Sequence, residues 1–469
     1  MATWQGYLDA NAGRFTDELR ELLRIPSVST SPEHREDVRR AAHWCAARLA
    51  AAGFPEARVF ESAGHPLVYG HWLGAPGLPT VLIYGHFDVQ PPEPLDLWRN
   101  PPFEPALRDG RIYARGASDM KGNLMVAIAA CEAHLGTSGR LPLNVKFLLE
   151  GEEEVGSPSL PAFLREHRDL LAADLAVSAD SGQAGEDQPM LLEGLRGLAG
   201  LQIDVRSAAS DLHSGIMGGI APNAVHALVE ILASLRDPGG AVQVAGFYQD
   251  VQPLSPEERR EMARIPDDTE AMLLAAGIRA AHGEPGYTPR ERNWARPTLE
   301  VNGIWGGYQG DGVKTVIPCE AHAKITCRLV PDQTPARVLD LIERHVRDHA
   351  PGEVEVSVHP LPGQGLPYRI PGDHPGQGAA ERALRAVYGK APYRYRIGAS
   401  VPVTALLHEI LGMHTVAFGF SMFDEGMHAP NEFMRLRNFA KGQRAFCLLL
   451  EELARPDAPP ASAGVPHSV

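Results

Sequence analysis

The chain has 469 residues, of which 44% are hydrophobic and 22% charged, and a formal net charge of -14. The length exceeds what one ordinary core organises and predicts two or three domains of a globular protein. The acidic balance excludes non-specific binding to nucleic acid or to an anionic membrane surface, since both need a basic face.

Cys45, Cys131, Cys319, Cys327 and Cys447 are odd in number, scattered, and never in a Cys-x-x-Cys pair. They predict a reducing compartment and no thiolate metal site. Met1 to Gly6 lacks the basic stretch and apolar core of a signal peptide, and no run approaches the ~18 apolar residues of a membrane span. The expected location is cytoplasmic, with no membrane and no nucleic-acid partner.

Phe15, Leu19, Leu22 and Leu23 recur at helical spacing up to Ile25-Pro26, and a second helix is predicted from Val38 to Ala52, stopped by Gly53. Short strands are expected near Ala57–Phe60 and Leu67–Trp72. Thr80 to Tyr84 is a β-rich run broken at Gly85, after which His86 and Asp88 leave the strand end two residues apart, on one side of extended backbone. Arg115 to Gly122 places Asp119 between glycines ahead of a helix through Leu124, Ile128 and Leu135, where Ser118-Asp119 fits a helix cap as well as a ligand.

Leu143 to Leu149 has the residue types of a buried strand and runs into Glu150-Gly151-Glu152-Glu153-Glu154-Val155-Gly156-Ser157. Alone, such an acidic run reads as a solvated loop. Like charges this close need either water or a cation, and open α/β sheets gather ligands at the carboxyl ends of their strands. A helix near Leu160–Glu166 and an apolar run from Asp174 ending at Asp180 repeat the pattern.

From Gly194 the character changes. Leu201 to Val205 and Lys324 to Leu329 alternate with period two, Val225 to Leu232 is helical, and Thr334-Pro335 caps another helix, as in an α+β domain whose sheet has one solvated face. Val242 to about Arg296 is helical and loop-rich without legible chemistry. Helix and strand alternate again from Gly376, and Thr415–Phe420 leads into Asp424 to Glu432. The expected organisation is an α/β catalytic domain with a mixed, largely parallel sheet over 1–197 and 376–455, an inserted α+β domain over 198–375, and a disordered tail, 456–469.

His86, Asp119, Glu154, Asp180 and His428 supply two imidazoles and three carboxylates, a donor set suited to zinc, manganese or cobalt. Five ligands exceed one tetrahedral site, and a bridging carboxylate between two ions accounts for them. These residues, together with Gly85 to Pro91, Arg115 to Gly122, Glu150 to Ser157, Asp211 to Gly215, Lys314 to Pro318, Arg328 to Pro331 and Asp424 to Glu432, make the sequence resemble the zinc aminoacylase and carnosinase-type dinuclear metallopeptidases. The similarity is greatest to their cytosolic non-specific dipeptidase branch and spans about Ile25 to Leu450.

The resemblance implies two divalent metal ions per subunit, zinc or manganese. Asp119 is then the bridge, His86 and Asp180 complete one site, and Glu154 and His428 the other. It further implies that Asp88 orients His86, that Glu153 is the general base, and that Asp119-Met120 is a cis peptide. The insert becomes a lid and homodimer contact, bringing His213 across the interface to the substrate carbonyl, while Arg328, Thr315 and Ser400 hold a dipeptide or related amide. The chain departs from the branch in Arg396-Ile397-Gly398-Ala399-Ser400, where an acidic residue and two glycines are usual, and this bears on recognition of the substrate amino terminus. Hydrolysis of N-acyl or N-carbamoyl amino acids uses the same centre and is the alternative activity. A catalytically silent binding protein of this fold is the alternative from another class, although Glu153 and all five ligands are present.

Overall fold

The structure, a computed structural model, describes residues 3–400 and 402–455. The tail expected to be disordered, 456–469, lies outside them. The chain divides into two compact units, Met1–Glu193 with Ile370–Tyr395 and Leu406–Val469, and Gly194–Arg369 with Arg396–Ala405.

The first unit is α/β. Its six-stranded sheet has the order Arg58–Phe60, Leu67–Trp72, Asn144–Glu150, Thr80–His86, Leu175–Ser178, Thr415–Ala417. The first two pairings are antiparallel and the remaining three parallel. Asn144–Glu150 is buried at every position, as a strand covered on both faces requires. Lys146 is accommodated there by donating from Nζ to the Leu170 and Ala172 carbonyls, each at 2.7 Å.

The break expected at Gly85 does not occur. The strand continues to His86, which lies beside Glu150 in parallel register. Gly85 serves packing here, since a Cβ would stand 3.0 Å from Met120 Cε. The parallel strands therefore deliver their loops to one edge, after His86, Glu150 and Ser178. Helix Gly122–Ser138 is buried at every residue from Gly122 to His134, and its apolar circumference marks it as a core helix. It packs against helices Trp4–Leu23 and Leu436–Leu453. Its one acidic residue, Glu132, receives the Tyr7 hydroxyl and the guanidinium groups of Arg14 and Arg48.

The second unit is α+β. Strands Thr298–Gly306, Glu320–Leu329, Gly197–Arg206 and Glu355–Pro360 form an antiparallel sheet in that order. Leu201, Ile203, Val205 and Ile325 face helices Ala224–Ser234 and Pro335–His349 in one core, whereas Gln202, Asp204 and His322 stay partly exposed. Asn223 and Thr334 cap those helices by accepting backbone N–H groups. Arg396–Ala405, expected within the second part of the catalytic domain, groups with this unit instead. Arg396 pairs with Glu258 there, and Arg196 Nε donates to the Gly398 carbonyl at 3.0 Å.

Candidate active site

Residues of the first unit build a cluster at the carboxyl edge of the sheet. His86, fully buried at its strand end, directs Nε2 towards Asp119 Oδ1 at 3.2 Å and Asp180 Oδ2 at 3.9 Å. His428 Nε2 lies 2.9 Å from Asp119 Oδ2 and 3.4 Å from Glu154 Oε2. The two groups His86–Asp119–Asp180 and Asp119–Glu154–His428 each have ligand-type atoms mutually within 4.8 Å, and they share Asp119. All five residues singled out in the sequence thus come together, one carboxylate oxygen of Asp119 facing each imidazole.

The loops are shaped for this. Asp119-Met120 is a cis peptide, and His428 has φ 62, in the left-handed region. Ser118 and Asp119 do not cap the following helix. Ser118 Oγ donates to Glu425 Oε2 at 2.6 Å, and the Asp119 amide donates to Glu432 Oε1 at 3.0 Å. The Asp88 carboxylate accepts the amides of Glu153 and Glu154 at 3.3 and 3.1 Å. His86 Nδ1 faces the Asp88 carbonyl at 3.1 Å and its Oδ1 at 3.4 Å, so Asp88 contacts the imidazole through both groups.

The acidic run is not a solvated loop. Glu150 is buried and accepts the Tyr84 and Ser157 hydroxyls at 2.5 and 3.0 Å. Glu152 is buried and accepts the His65 and Ser159 amides at 2.7 and 3.0 Å. Burial raises Glu150 to about 7. Burial, with Asp180, Glu154 and Asp119 close by, raises Glu153 to about 9 against the pull of His86. Burial and Asp119 likewise raise Asp180 to about 7. His428 is held up at about 10 by hydrogen bonds to Asp119 and Glu154.

This is the electrostatic signature of a site shaped around positive charge, with protons standing where a cation would serve better. The donor set passes a second test. His86 Nε2 is buried and makes no hydrogen bond among the described residues, although it faces two carboxylates, as a nitrogen reserved for a metal would. The residues fit divalent cations.

Two buried carboxylates that the sequence left without a role hold the ligand loops. Glu432 accepts Arg115 Nη1 and the Gly116 amide, each at 2.8 Å, on Oε2, and the Ser118 and Asp119 amides at 2.9 and 3.0 Å on Oε1. Glu425 ties Ser118 to the Met422 amide and to Arg435. The signal for Glu432 was its place four residues after His428, with Arg115 four before Asp119.

In the second unit, His213 ends the short strand Leu212–His213, which pairs with Val316–Ile317. His213 Nδ1 accepts the Gly215 amide at 3.0 Å, leaving Nε2 to carry the proton. Thr315, next to that strand, accepts the Ser214 amide at its carbonyl. Arg328 Nη1 donates to Ser400 Oγ at 2.8 Å, and Ser400 donates to the Arg196 carbonyl at 2.6 Å. His213 with Thr315, and Arg328 with Ser400, are therefore neighbours. Burial and the nearby Arg328 lower Arg196 to about 10, so two guanidinium groups crowd one place.

Residues 82–452 match the model of peptidase family M20/M25/M40. The chain belongs to that family. Over 463 residues, covering 95% of this chain and 97% of the relative, it is 31% identical to the Cys-Gly metallodipeptidase of Schizosaccharomyces pombe. It is 30% identical to the human Beta-Ala-His dipeptidase, covering 96% and 92%. The structure of an M20 family metallo-carboxypeptidase from Sulfolobus solfataricus superposes with a TM-score of 0.79 at 32% identity, covering 94% of this chain and 99% of that one. Membership assigns the peptidase family's reaction class, hydrolysis of a peptide bond.

Proposed function

We propose that this protein is a cytoplasmic dipeptidase that works with two divalent cations, zinc or manganese. His86, Asp119 and Asp180 would hold one ion and Asp119, Glu154 and His428 the other. The observation that carries this reading is the shared Asp119 between two imidazole–carboxylate groups, with Glu153 alongside. Bound ions supply Lewis acidity towards an amide carbonyl and towards water.

The chain's own residues do the rest. Glu153, placed beside the ligands by the Asp88 carboxylate, accepts a proton from the attacking water and returns it to the leaving amine. Asp88 fixes the orientation of His86 through Nδ1. In the second unit, which serves as lid and homodimer contact in this reading, His213 donates from Nε2 to the developing oxyanion of the partner subunit's substrate. Arg328 and Ser400 receive the carboxylate of a short substrate, which favours free dipeptides over internal peptide bonds. Thr315 stands beside His213, and Ile397, in the segment where the branch usually carries an acidic residue, bears on recognition of the substrate amino terminus. The names of the fungal and human relatives support dipeptides as the substrate class.

The test is a hydrolysis panel on metal-stripped and zinc- or manganese-restored protein. It contains dipeptides including Cys-Gly and β-Ala-His, tripeptides, and N-acetyl and N-carbamoyl amino acids. Dipeptide turnover that returns with metal, and falls by about 10²- to 10⁴-fold in Glu153→Gln with metal content unchanged, supports the proposal. A preference for acylated amino acids overturns the substrate assignment. No hydrolysis of anything in either metal state overturns the enzyme.

A further inference from the structure

The stretch Val242 to Arg296, silent in the sequence, contributes most of the wall of a cavity in the second unit. The cavity holds about 90 Å³ and opens to solvent. At ~30 Å³ per water this is room for about three waters, or for a small polyatomic ion. Arg236, His282, Arg292 and Arg296 line it against Glu284 and Glu300.

These charges are unevenly paired. Arg296 is fully engaged, with Nε and Nη2 on the two oxygens of Glu284 at 2.8 and 2.6 Å. Arg236 Nη1 reaches Glu300 at 3.3 Å, an exposed contact worth little in water. Arg292 donates Nε to the Glu284 carbonyl at 2.9 Å and has no acidic partner among the described residues. The lining carries one more formal positive charge than negative, before His282 is counted.

Two glycines let the segments that line the recess approach one another closely. Gly240 has φ 93 and Gly283 φ 140. A Cβ on Gly240 would meet Gly283 Cα at 2.9 Å, His282 Nε2 at 3.0 Å and Arg236 Nη2 at 3.2 Å. One on Gly283 would meet Arg292 Cδ at 3.1 Å and Nη1 at 3.5 Å. Around these two glycines stand Arg236 Nη2, His282 Nε2 and Arg292 Nη1, on half-buried or exposed residues and with no hydrogen bond among the described residues.

A lone guanidinium fork matches a planar carboxylate, with two parallel bonds from one residue. Donors arriving from three separate segments suit a ligand whose acceptor oxygens point in several directions. We propose that this recess binds a tetrahedral oxyanion, either inorganic phosphate or the phosphate group of a small metabolite. The site lies wholly in the second unit and does not depend on the dipeptidase reading.

The metal-restored protein is titrated calorimetrically, at constant ionic strength, with inorganic phosphate and separately with glycerol 3-phosphate. Wild type is expected to show saturable binding that weakens at least tenfold in Arg292→Ala and in Arg236→Gln, with Arg292→Lys intermediate. Phosphate held only by the catalytic ions would bind all four proteins equally, and that result overturns the site. No saturable binding by either probe also overturns it. Tighter binding of glycerol 3-phosphate assigns the site to a phosphorylated metabolite, and tighter binding of inorganic phosphate assigns it to the free ion. Arg292→Ala assayed without phosphate keeps the wild-type kcat/KM, which separates this outcome from any failure of the proposed activity and shows that the variant folds.

Discussion

Glu432→Gln isolates the carboxylate that holds the Asp119 loop. The native side chain takes four donors, among them the guanidinium of Arg115, and neither Glu432 nor Arg115 is more than 1% exposed. A glutamine keeps one acceptor and turns an N–H₂ towards groups that can only donate, losing two of the four bonds. Hydrogen bonds to a buried charge are worth ~1.5–3 kcal/mol each, and stranding a buried arginine costs ~3–5 kcal/mol. The terms overlap, so the expected loss is about 3–5 kcal/mol in urea unfolding of the metal-free protein. Because the two lost donors are either Arg115 and Gly116 or Ser118 and Asp119, all on the Asp119 loop, affinity for zinc or manganese should fall ~10- to 100-fold, as when a group supporting a ligand is removed. Arg115→Met with Glu432→Gln should cost less than the two single changes added together, since neither leaves the other's charge unpaired. A Glu432→Gln protein within about 1 kcal/mol of wild type, with unchanged metal affinity, would refute the reasoning.

Three further outcomes follow from the same structure. If His213 serves the partner's site, His213→Ala and Glu153→Ala, each inactive alone, should regain about a quarter of wild-type activity when unfolded together and refolded, because half the dimers are mixed and one of two sites in each is intact; no recovery counts against the shared site. Burial opposes it, but the Ser255 amide and Arg396 hold Glu258 down at about 2, from an ordinary 4.5. A depressed carboxylate stabilises fully above its unfolded value and loses that contribution as pH falls from about 4.5 towards 2, so Glu258→Gln should lower stability by ~2 kcal/mol at pH 7, and the difference from wild type should shrink across that window. Gly122→Ala would place Cβ 2.3 Å from the Ala117 carbonyl oxygen, which is backbone and cannot swing away, so thermal unfolding should drop by more than Ala for Gly in an open helix would suggest.

Much of the site was legible because three of the candidate ligands, His86, Glu154 and Asp180, lie at or just after strands whose residue types announce them. The runs ending at His86, Glu150 and Ser178 are apolar and β-rich, and their polar successors stand out against them. The supporting residues carried no such contrast. Glu150 and Glu152 read as either supporting or solvated because their partners, Tyr84, Ser157, His65 and Ser159, are assembled only by folding. Gly85 read as a break because glycine's usual service is to turns, whereas here it makes room for Met120. Arg396–Ala405 read as catalytic-domain chain because sequence order hides the carbonyls and carboxylates that draw it to the second unit. The recess around Gly240 was invisible for a related reason, since Arg236, His282 and Arg292 meet only when two distant glycines touch.

One residue deserves to be seen as a datum point. Asp88 touches His86 through its carbonyl and takes the Glu153 and Glu154 amides on its two carboxylate oxygens. A displacement of Asp88 would therefore be passed to the imidazole and to both glutamates at once. Any residue that replaced Asp88 would have to satisfy three tolerances at once, so a change there detunes the whole assembly, where a change at Gln90, whose side chain hydrogen-bonds only Glu154 among the described residues, shifts one member.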